Sequence, residues 1–270
     1  FSGGGGTNTA ITFAKQGLKT AYYGSVGDDL AGEAIIKDLK SCRVDTSLIQ
    51  KNLKRPTNHS LILSIPNQDR TIFSYKGASN LVDFKKLNVS AKYFYIAPLS
   101  DNLAKSFEFL VDYAYDKGIK VAVNMGQSQL DLPKKKLDKI LSKTNILILN
   151  KEEASYLSGI PYTQEEKIFK TISSNYPGVF VMTKGSKGLS VFDGVTRYDA
   201  GVIESVVVDR TGAGDSFAAG FVSEYMVSGD TLKAIQFGSA NATSCLTKWG
   251  AKNGLISRES RYKKIKVEKL

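Results

Sequence analysis

Short apolar runs alternate along the chain with stretches in which apolar residues recur every three or four positions. The runs "KTAYYGSVG" (19–27), "KYFYIAP" (92–98), "IKVAVN" (119–124), "NILILN" (145–150) and "GVFVMTKG" (178–185) are rich in β-branched and aromatic residues and stop at Gly, Pro or Asn. That pattern predicts buried strands. The intervening stretches predict helices. In "NLAKSFEFLVDYAYDKG", Leu103, Phe107, Leu110, Val111 and Ala114 share one helical face and Gly118 ends the pattern, so one stripe packs on a sheet. A βαβα order predicts an α/β fold, a sheet covered by helices.

One segment breaks the alternation. "HSLILSIPNQDRTIFSYKG" predicts two strands, 60–65 and 71–75, joined by the turn-forming "PNQD" with no helix between them. A hairpin inserted at 57–76 of such a chain belongs outside the main sheet, as an edge or as a lid, and the pattern leaves both open.

Composition narrows the function classes. The chain has 270 residues, 42% of them hydrophobic, enough for one large α/β domain or two small ones. It has no run of about 18 apolar residues. Cys42 and Cys245 stand in no CxxC or metal-ligand spacing, which argues against a disulfide framework or zinc site and predicts a cytoplasmic protein. The 37 basic against 26 acidic residues give a formal charge of +11. The clusters "KNLKR", "LPKKKLDKI" and "RYKKIKVEKL" are short, mixed with apolar residues and not interleaved with aromatics, so solvated helix faces explain them better than nucleic-acid binding, and phosphorylated small molecules are the better partners. With His59 the only histidine, a His-dependent triad or multi-histidine metal site is excluded.

Two glycine-containing segments carry candidate chemistry. The opening "FSGGGGTNTAITFAKQGLK" fits neither a P-loop, which needs a Lys, nor a dinucleotide fingerprint, which needs a preceding strand. Its bland reading is a flexible terminus. The alternative is that Thr7 and Asn8 cap a helix carrying Ala10, Ile11, Phe13 and Ala14, which lets the glycine backbone approach a ligand while Asn8 offers a donor and an acceptor. In "DRTGAGDSFAAGF" (209–221), Phe217, Phe221 and Tyr225, with Ala218, Val222 and Met226, predict a buried helix starting at about Asp215. Asp215 as a plain N-cap is one reading. It leaves Gly212, Ala213 and Gly214 unexplained. Their backbone N–H groups at a helix N-terminus would attract an anion, and a carboxylate beside them would take the proton of an attacking hydroxyl, an arrangement suited to phosphoryl transfer.

At these residues the chain resembles the ribokinase-like (PfkB) carbohydrate kinase family: "DRTGAGDSFAAGF" matches its second signature and "GGGGTNTAITFAKQGLKTAYYGSVGDDLAG" its first, over essentially the whole chain. The resemblance implies a three-layer α/β/α sandwich with a mostly parallel central sheet and a small β lid, to which the hairpin would belong with Asn58, His59 and Arg70 as lid contacts. It implies an ATP- and Mg²⁺-dependent kinase acting on a sugar or sugar acid. Asp215 would be the base, Gly212, Ala213 and Gly214 the anion hole, and Gly4, Gly5 and Asn8 the holders of sugar hydroxyls. The N-x-x-E pattern of Asn150 and Glu153 is implicated in organising Mg²⁺, partly through water, and is equally a helix capping box. Thr183, Gly185 and Gly188 of "MTKGSKG" are expected near the nucleotide, flanked by Lys184 and Lys187, as is Asn241 with Gly250 in the following turn. Asp209 and the Thr211 carbonyl stand where relatives bind a monovalent cation such as K⁺, and Asn124 where they contact substrate or phosphate. Relatives also dimerise through the lid.

Family members ordinarily begin with a strand carrying a sugar-binding Asp and two lid strands before the paired glycines. This chain starts at Phe1, and the expectation is that a leading segment of about 30 to 40 residues, a few strands with loops, is omitted. The alternative is a degraded relative, a catalytically weak sugar- or nucleotide-binding regulator. Nucleosides also remain open as acceptors, since a scaffold does not name its substrate.

Overall fold

The computed structural model describes residues 2–64 and 70–270. The N-terminal part contains α1 (Gly5–Lys15), β1 (Gly24–Gly27), α2 (Leu30–Ser41), β2 (Ile49–Asn52) and the hairpin β3 (His59–Ser64) and β4 (Arg70–Tyr75). Strands and helices then alternate: β5 (Tyr93–Ile96), α3 (Phe107–Asp116), β6 (Lys120–Asn124), α4 (Gln127–Leu130), α5 (Lys134–Leu141), β7 (Ile146–Asn150), α6 (Lys151–Ser158), α7 (Glu165–Asn175) and β8 (Val179–Thr183). The hairpin β9 (Leu189–Phe192) and β10 (Arg197–Ala200), the helix pair α8 (Ala213–Ser228) and α9 (Thr231–Leu246), and β11 (Val267–Lys269) complete it.

Seven strands form the central sheet in the order β11-β10-β9-β8-β7-β6-β5. β5 to β8 pair in parallel, β9 reverses, and β10 reverses again, so five of the seven strands point the same way. The parallel strands are buried on both faces: Val121, Val123, Leu147, Leu149, Phe180 and Met182 pack with α3, α5 and α7, while Ile146, Ile148, Val179 and Val181 pack with α8 and α9. Such two-sided burial explains why these segments read as continuous apolar runs. Three layers result, and the carboxyl ends of β5 to β8 open at one edge, where open α/β sheets bind their ligands.

Two expectations change. The run 19–27 supplies only β1, which pairs with β2 in a separate two-stranded parallel sheet, with Ala21 bridging Asp45. The ring of Tyr22 fills the space where a side chain at Gly6 or Gly24 would sit, so this region packs on α1 and α2 instead of joining the central sheet. The helix expected over 102–118 is split: Asp101–Ser106 is a 3₁₀ turn and α3 follows, burying Phe107, Leu110, Val111 and Ala114 before Gly118 ends it at φ +68°.

The hairpin stands outside the central sheet as its own antiparallel pair, in register from His59↔Tyr75 to Ser64↔Arg70. Its expected turn at "PNQD" and the Arg70 side chain lie outside what the structure describes.

Candidate functional site

The segment before α8 is a braced loop. Gly212 sits in the left-handed region at φ +79°, and a Cβ there would collide with Ala251. Only glycine tolerates both constraints. Asp209 ties this loop to the next: its Oδ1 accepts the Thr211 N–H at 2.8 Å and its Oδ2 the Gly250 N–H at 3.0 Å. Between them the thiol of buried Cys245 approaches the carbonyls of Thr211 at 3.7 Å and Ala251 at 3.6 Å.

The helix begins at Ala213, two residues before the expected start, with Gly212 as N-cap and no side-chain cap. Asp215 therefore lies within the first turn, and the reading of it as a plain N-cap is corrected: its carboxylate is turned elsewhere. The Ala213 N–H makes only a long 3.4 Å contact to the Arg210 carbonyl, and the Gly212 and Gly214 N–H groups meet no acceptor within the described residues. Gly214 is exposed and faces open space. Unsatisfied donors at the positive end of a helix dipole are an anion site in waiting.

Asp215 meets the other end of the chain. The Asn8 Nδ2 donates to its Oδ2 at 2.9 Å, and a Cβ at Gly5 would lie 3.3 Å from its Oδ1. Burial holds the carboxyl above the ordinary Asp range, and the Asn8 amide works against that rise. Asn8 is 3% exposed and its Oδ1 has no partner among the described residues. The cap expected of Thr7 and Asn8 is corrected too. α1 starts at Gly5 with Gly4 at φ +96° as N-cap, and Thr7 sits inside it, donating back to the Gly3 carbonyl at 2.8 Å.

Tyr95 was not singled out from sequence. It faces the α8 side of the sheet, edge-on to Phe13 with ring centroids 5.3 Å apart, and its buried hydroxyl lacks a hydrogen bond. Burial, then the charge of Asp215, raises its pKa, and the nearby side chain of Asn124 opposes the rise without reaching hydrogen-bonding geometry. Only strand alternation, which puts Tyr95 on the face opposite Phe94, hinted at its placement.

The other expected residues line the same sheet edge. Asn124, Asn150 and Thr183 end β6, β7 and β8. Asn150 and Glu153 form a complete capping box, each side chain accepting the other's backbone N–H at 2.8 Å. Burial pushes the Glu153 carboxyl up to about 7. Gly185 at φ +58° and Gly188 at φ +89° shape the β8–β9 turn, closed by a 2.7 Å bond from the Lys184 N–H to the Gly188 carbonyl. Lys184 itself turns onto the α7 face, where its Nζ bonds Ser190 at 3.0 Å and pairs with Glu165 at 3.1 Å, and Glu165 also holds Lys151 at 2.8 Å. Asn241 requires correction as a nucleotide contact. It is fully buried, donating to the Ser216 carbonyl at 2.8 Å and accepting the Ile256 N–H at 3.0 Å, so both ends of its amide are spent inside the fold.

A crevice of about 1280 Å³ runs from Gly3–Gly6 past Asn58, Tyr95 and Pro98 to Ser100. Asp215 is not in its wall, but Gly5, which packs on Asp215, is. Among the described residues no three His, Cys, Asp or Glu side chains cluster to hold a metal, and no helix is long and apolar enough to cross a membrane.

The family described as pfkB family carbohydrate kinase matches residues 1–258. A ribokinase of Haemophilus influenzae is 27% identical over 266 residues, covering 95% of this chain and 85% of the relative. The structure of a nucleoside kinase from Methanocaldococcus jannaschii superposes with a TM-score of 0.78 at 26% identity, covering 94% of this chain and 83% of that one. A fructokinase from Vibrio cholerae, solved with fructose, ADP and calcium, gives 0.79 at 19% identity, covering 95% and 88%.

Proposed function

Because the chain belongs to the pfkB family of carbohydrate kinases, we propose that it transfers the γ-phosphate of ATP to a hydroxyl of a sugar or sugar acid, with Asp215 as general base. The observation that carries this reading is the 2.9 Å bond from Asn8 to Asp215, which joins two motifs 207 residues apart beside unsatisfied backbone amides. Asp215 takes the proton as the acceptor oxygen attacks phosphorus. The bond to the leaving ADP oxygen breaks, and the amides of Gly212, Ala213 and Gly214 stabilise charge on the moving phosphoryl group. Gly4, Gly5 and the free Oδ1 of Asn8 hold acceptor hydroxyls. Thr183, Gly185 and Gly188 border the nucleotide.

The donor set suits Mg²⁺, which takes one or two carboxylates and fills its shell with water and substrate phosphates. Asn150 and Glu153 would hold it, largely through water, and the buried Glu153 carboxyl, pushed up to about 7, is a group that a nearby cation would help to ionise. When bound, the ion would neutralise phosphate charge. For a monovalent cation the candidates are Asp209 and the Thr211 carbonyl, which meets only a weak thiol donor; a double-mutant Vibrio cholerae fructokinase was solved with potassium. Exposed Leu61, Ile62, Leu63, Ile72 and Phe73 on the hairpin favour a homodimer through it.

A nucleoside acceptor is the second reading, favoured by the 26% identity to the Methanocaldococcus jannaschii nucleoside kinase. A panel of sugars, sugar acids and nucleosides coupled to ADP release separates the two. Asp215→Asn should abolish most turnover on the preferred acceptor while ATP still binds. Wild-type kcat in that variant overturns the assignment, and tight ligand binding without turnover on any acceptor points to a regulator.

A further inference from the structure

The "GDDLAG" stretch of the first motif has no role in the site above, yet its polar atoms are used densely. Asp29 caps α2, its Oδ1 accepting the Gly32 N–H at 2.8 Å. A cap needs no more than that. The same Oδ1 also accepts the Thr57 hydroxyl at 2.6 Å, and Oδ2 accepts the Thr57 N–H at 2.7 Å. The Thr57 Oγ1 in turn accepts the Gly27 N–H at 2.9 Å. Thr57 is 3% exposed, although it lies in a loop.

The surrounding glycines make room for this clamp. A Cβ at Gly27 would lie 2.5 Å from the Thr57 nitrogen, and one at Gly32 would strike the Gly27 carbonyl. The clamp grips the stem of the hairpin two residues before β3 begins. The returning stem reaches the same point: Gly77, at φ +46°, passes so close to the Pro56 carbonyl that a Cβ would collide with it, and the Ala78 N–H donates to that carbonyl at 2.8 Å. Both stems are therefore fastened at Pro56–Thr57, while among the described residues the strands beyond pair only with each other. Asn58, directly between clamp and β3, lines the crevice that Gly3–Gly6 also line.

We propose that Asp29 and Thr57 are positioning residues for the acceptor substrate: their clamp fixes the hinge of the hairpin and so aims Asn58 and the strands after it at the Gly3–Gly6 end of the crevice. The inference rests on the kinase reading for its effect on turnover, but the clamp itself is independent of that reading.

Three variants separate clamp from cap and from general stability. Asp29→Asn keeps an oxygen for the α2 cap and sets an amide donor against the Thr57 N–H. Thr57→Val keeps shape and loses both hydroxyl bonds, and Thr57→Ser restores them. Steady-state kinetics with ADP release are run beside amide hydrogen exchange of 59–64 and 70–75. The expected result for Asp29→Asn and Thr57→Val is an acceptor KM raised about tenfold, from the loss of one hydrogen bond at the hinge in the first and two in the second, with kcat and the ATP KM within about twofold. Exchange in the hairpin should quicken while that of β6 and β7 stays unchanged, and Thr57→Ser should behave as wild type. Wild-type acceptor KM and wild-type hairpin exchange in both damaging variants overturn the proposal, as does a parallel rise of both KM values with exchange quickened throughout. If Thr57→Val does not fold, Asp29→Asn alone decides. Should the wild-type enzyme turn over no acceptor, the kinase reading fails and the exchange arm still judges the clamp.

Discussion

The start of α1, which packs on Asp215 of α8, and the stems of the hairpin β3–β4 at Asn58 and Lys76 border the same crevice, yet the α1–α8 junction and the hairpin are built on opposite terms. At the junction Asn8 is 3% exposed, its amide holds Asp215, and Gly212 lies against Ala251 with no room for a methyl group. In the hairpin Leu61 is 59% and Phe73 58% exposed, and among the described residues neither strand pairs with any strand but the other. The first region is preorganised, with groups buried and oriented before any ligand arrives, as electrostatic stabilisation of a moving phosphoryl group requires. The second has little to hold it except its stem, and its exposed apolar face is the kind that a bound partner or ligand would cover.

Substitutions should separate the two regions. Asp215→Asn should have the largest effect, a loss of kcat of about 10²- to 10⁴-fold, the usual contribution of a general base, measured by ADP release. Gly212→Val and Gly214→Val should both cut kcat but differ in stability. Position 212 combines a left-handed backbone with a collision at Ala251, so thermal melting should drop there, whereas 214 faces open space and should melt near wild type while its side chain blocks the approaching phosphate. Equal melting of the two would show that the loop is less tightly fitted than described. Phe73→Lys should leave kcat nearly unchanged and lower the mass measured by light scattering, if the hairpin joins two copies. Lys184→Met should have the smallest effect, less than about threefold on the ATP KM, because its ammonium is engaged with Glu165 and Ser190.

Proton linkage sharpens the same contrast. On the proposal that Asp215 is the base, it must be ionised to act, and burial raises its folded pKa, so kcat/KM should rise with pH along a limb whose midpoint lies above the ordinary Asp value. Asn8→Leu removes the amide that lowers it and should move that limb to higher pH. Stability runs the other way. A carboxyl whose pKa is raised on folding costs stability once pH climbs past its unfolded value, so Asp215→Asn should melt higher than wild type at neutral pH and lose that advantage at acid pH.

Much of this was legible in the sequence, and the exceptions have physical reasons. The strands β5 to β8 stood out because two-sided burial writes uninterrupted apolar runs, and the hairpin because no helical period separates its halves. Asp215 and its glycines were visible because a cap explains one special residue and not three. Helix starts were misplaced at both motifs, since glycine can carry the first turn while the more obvious Thr7 and Asn8 sit inside. Asn241 misled because a buried amide that bridges Ser216 and Ile256 looks, in sequence, like one that faces a ligand. The Asp29–Thr57 clamp joins residues 28 apart across two elements, and no local period reports such a bond.

Because the single carboxylate of Asp209 accepts the amides of both Thr211 and Gly250, truncating that one side chain would release two loops at once, so their positions are coupled rather than set separately.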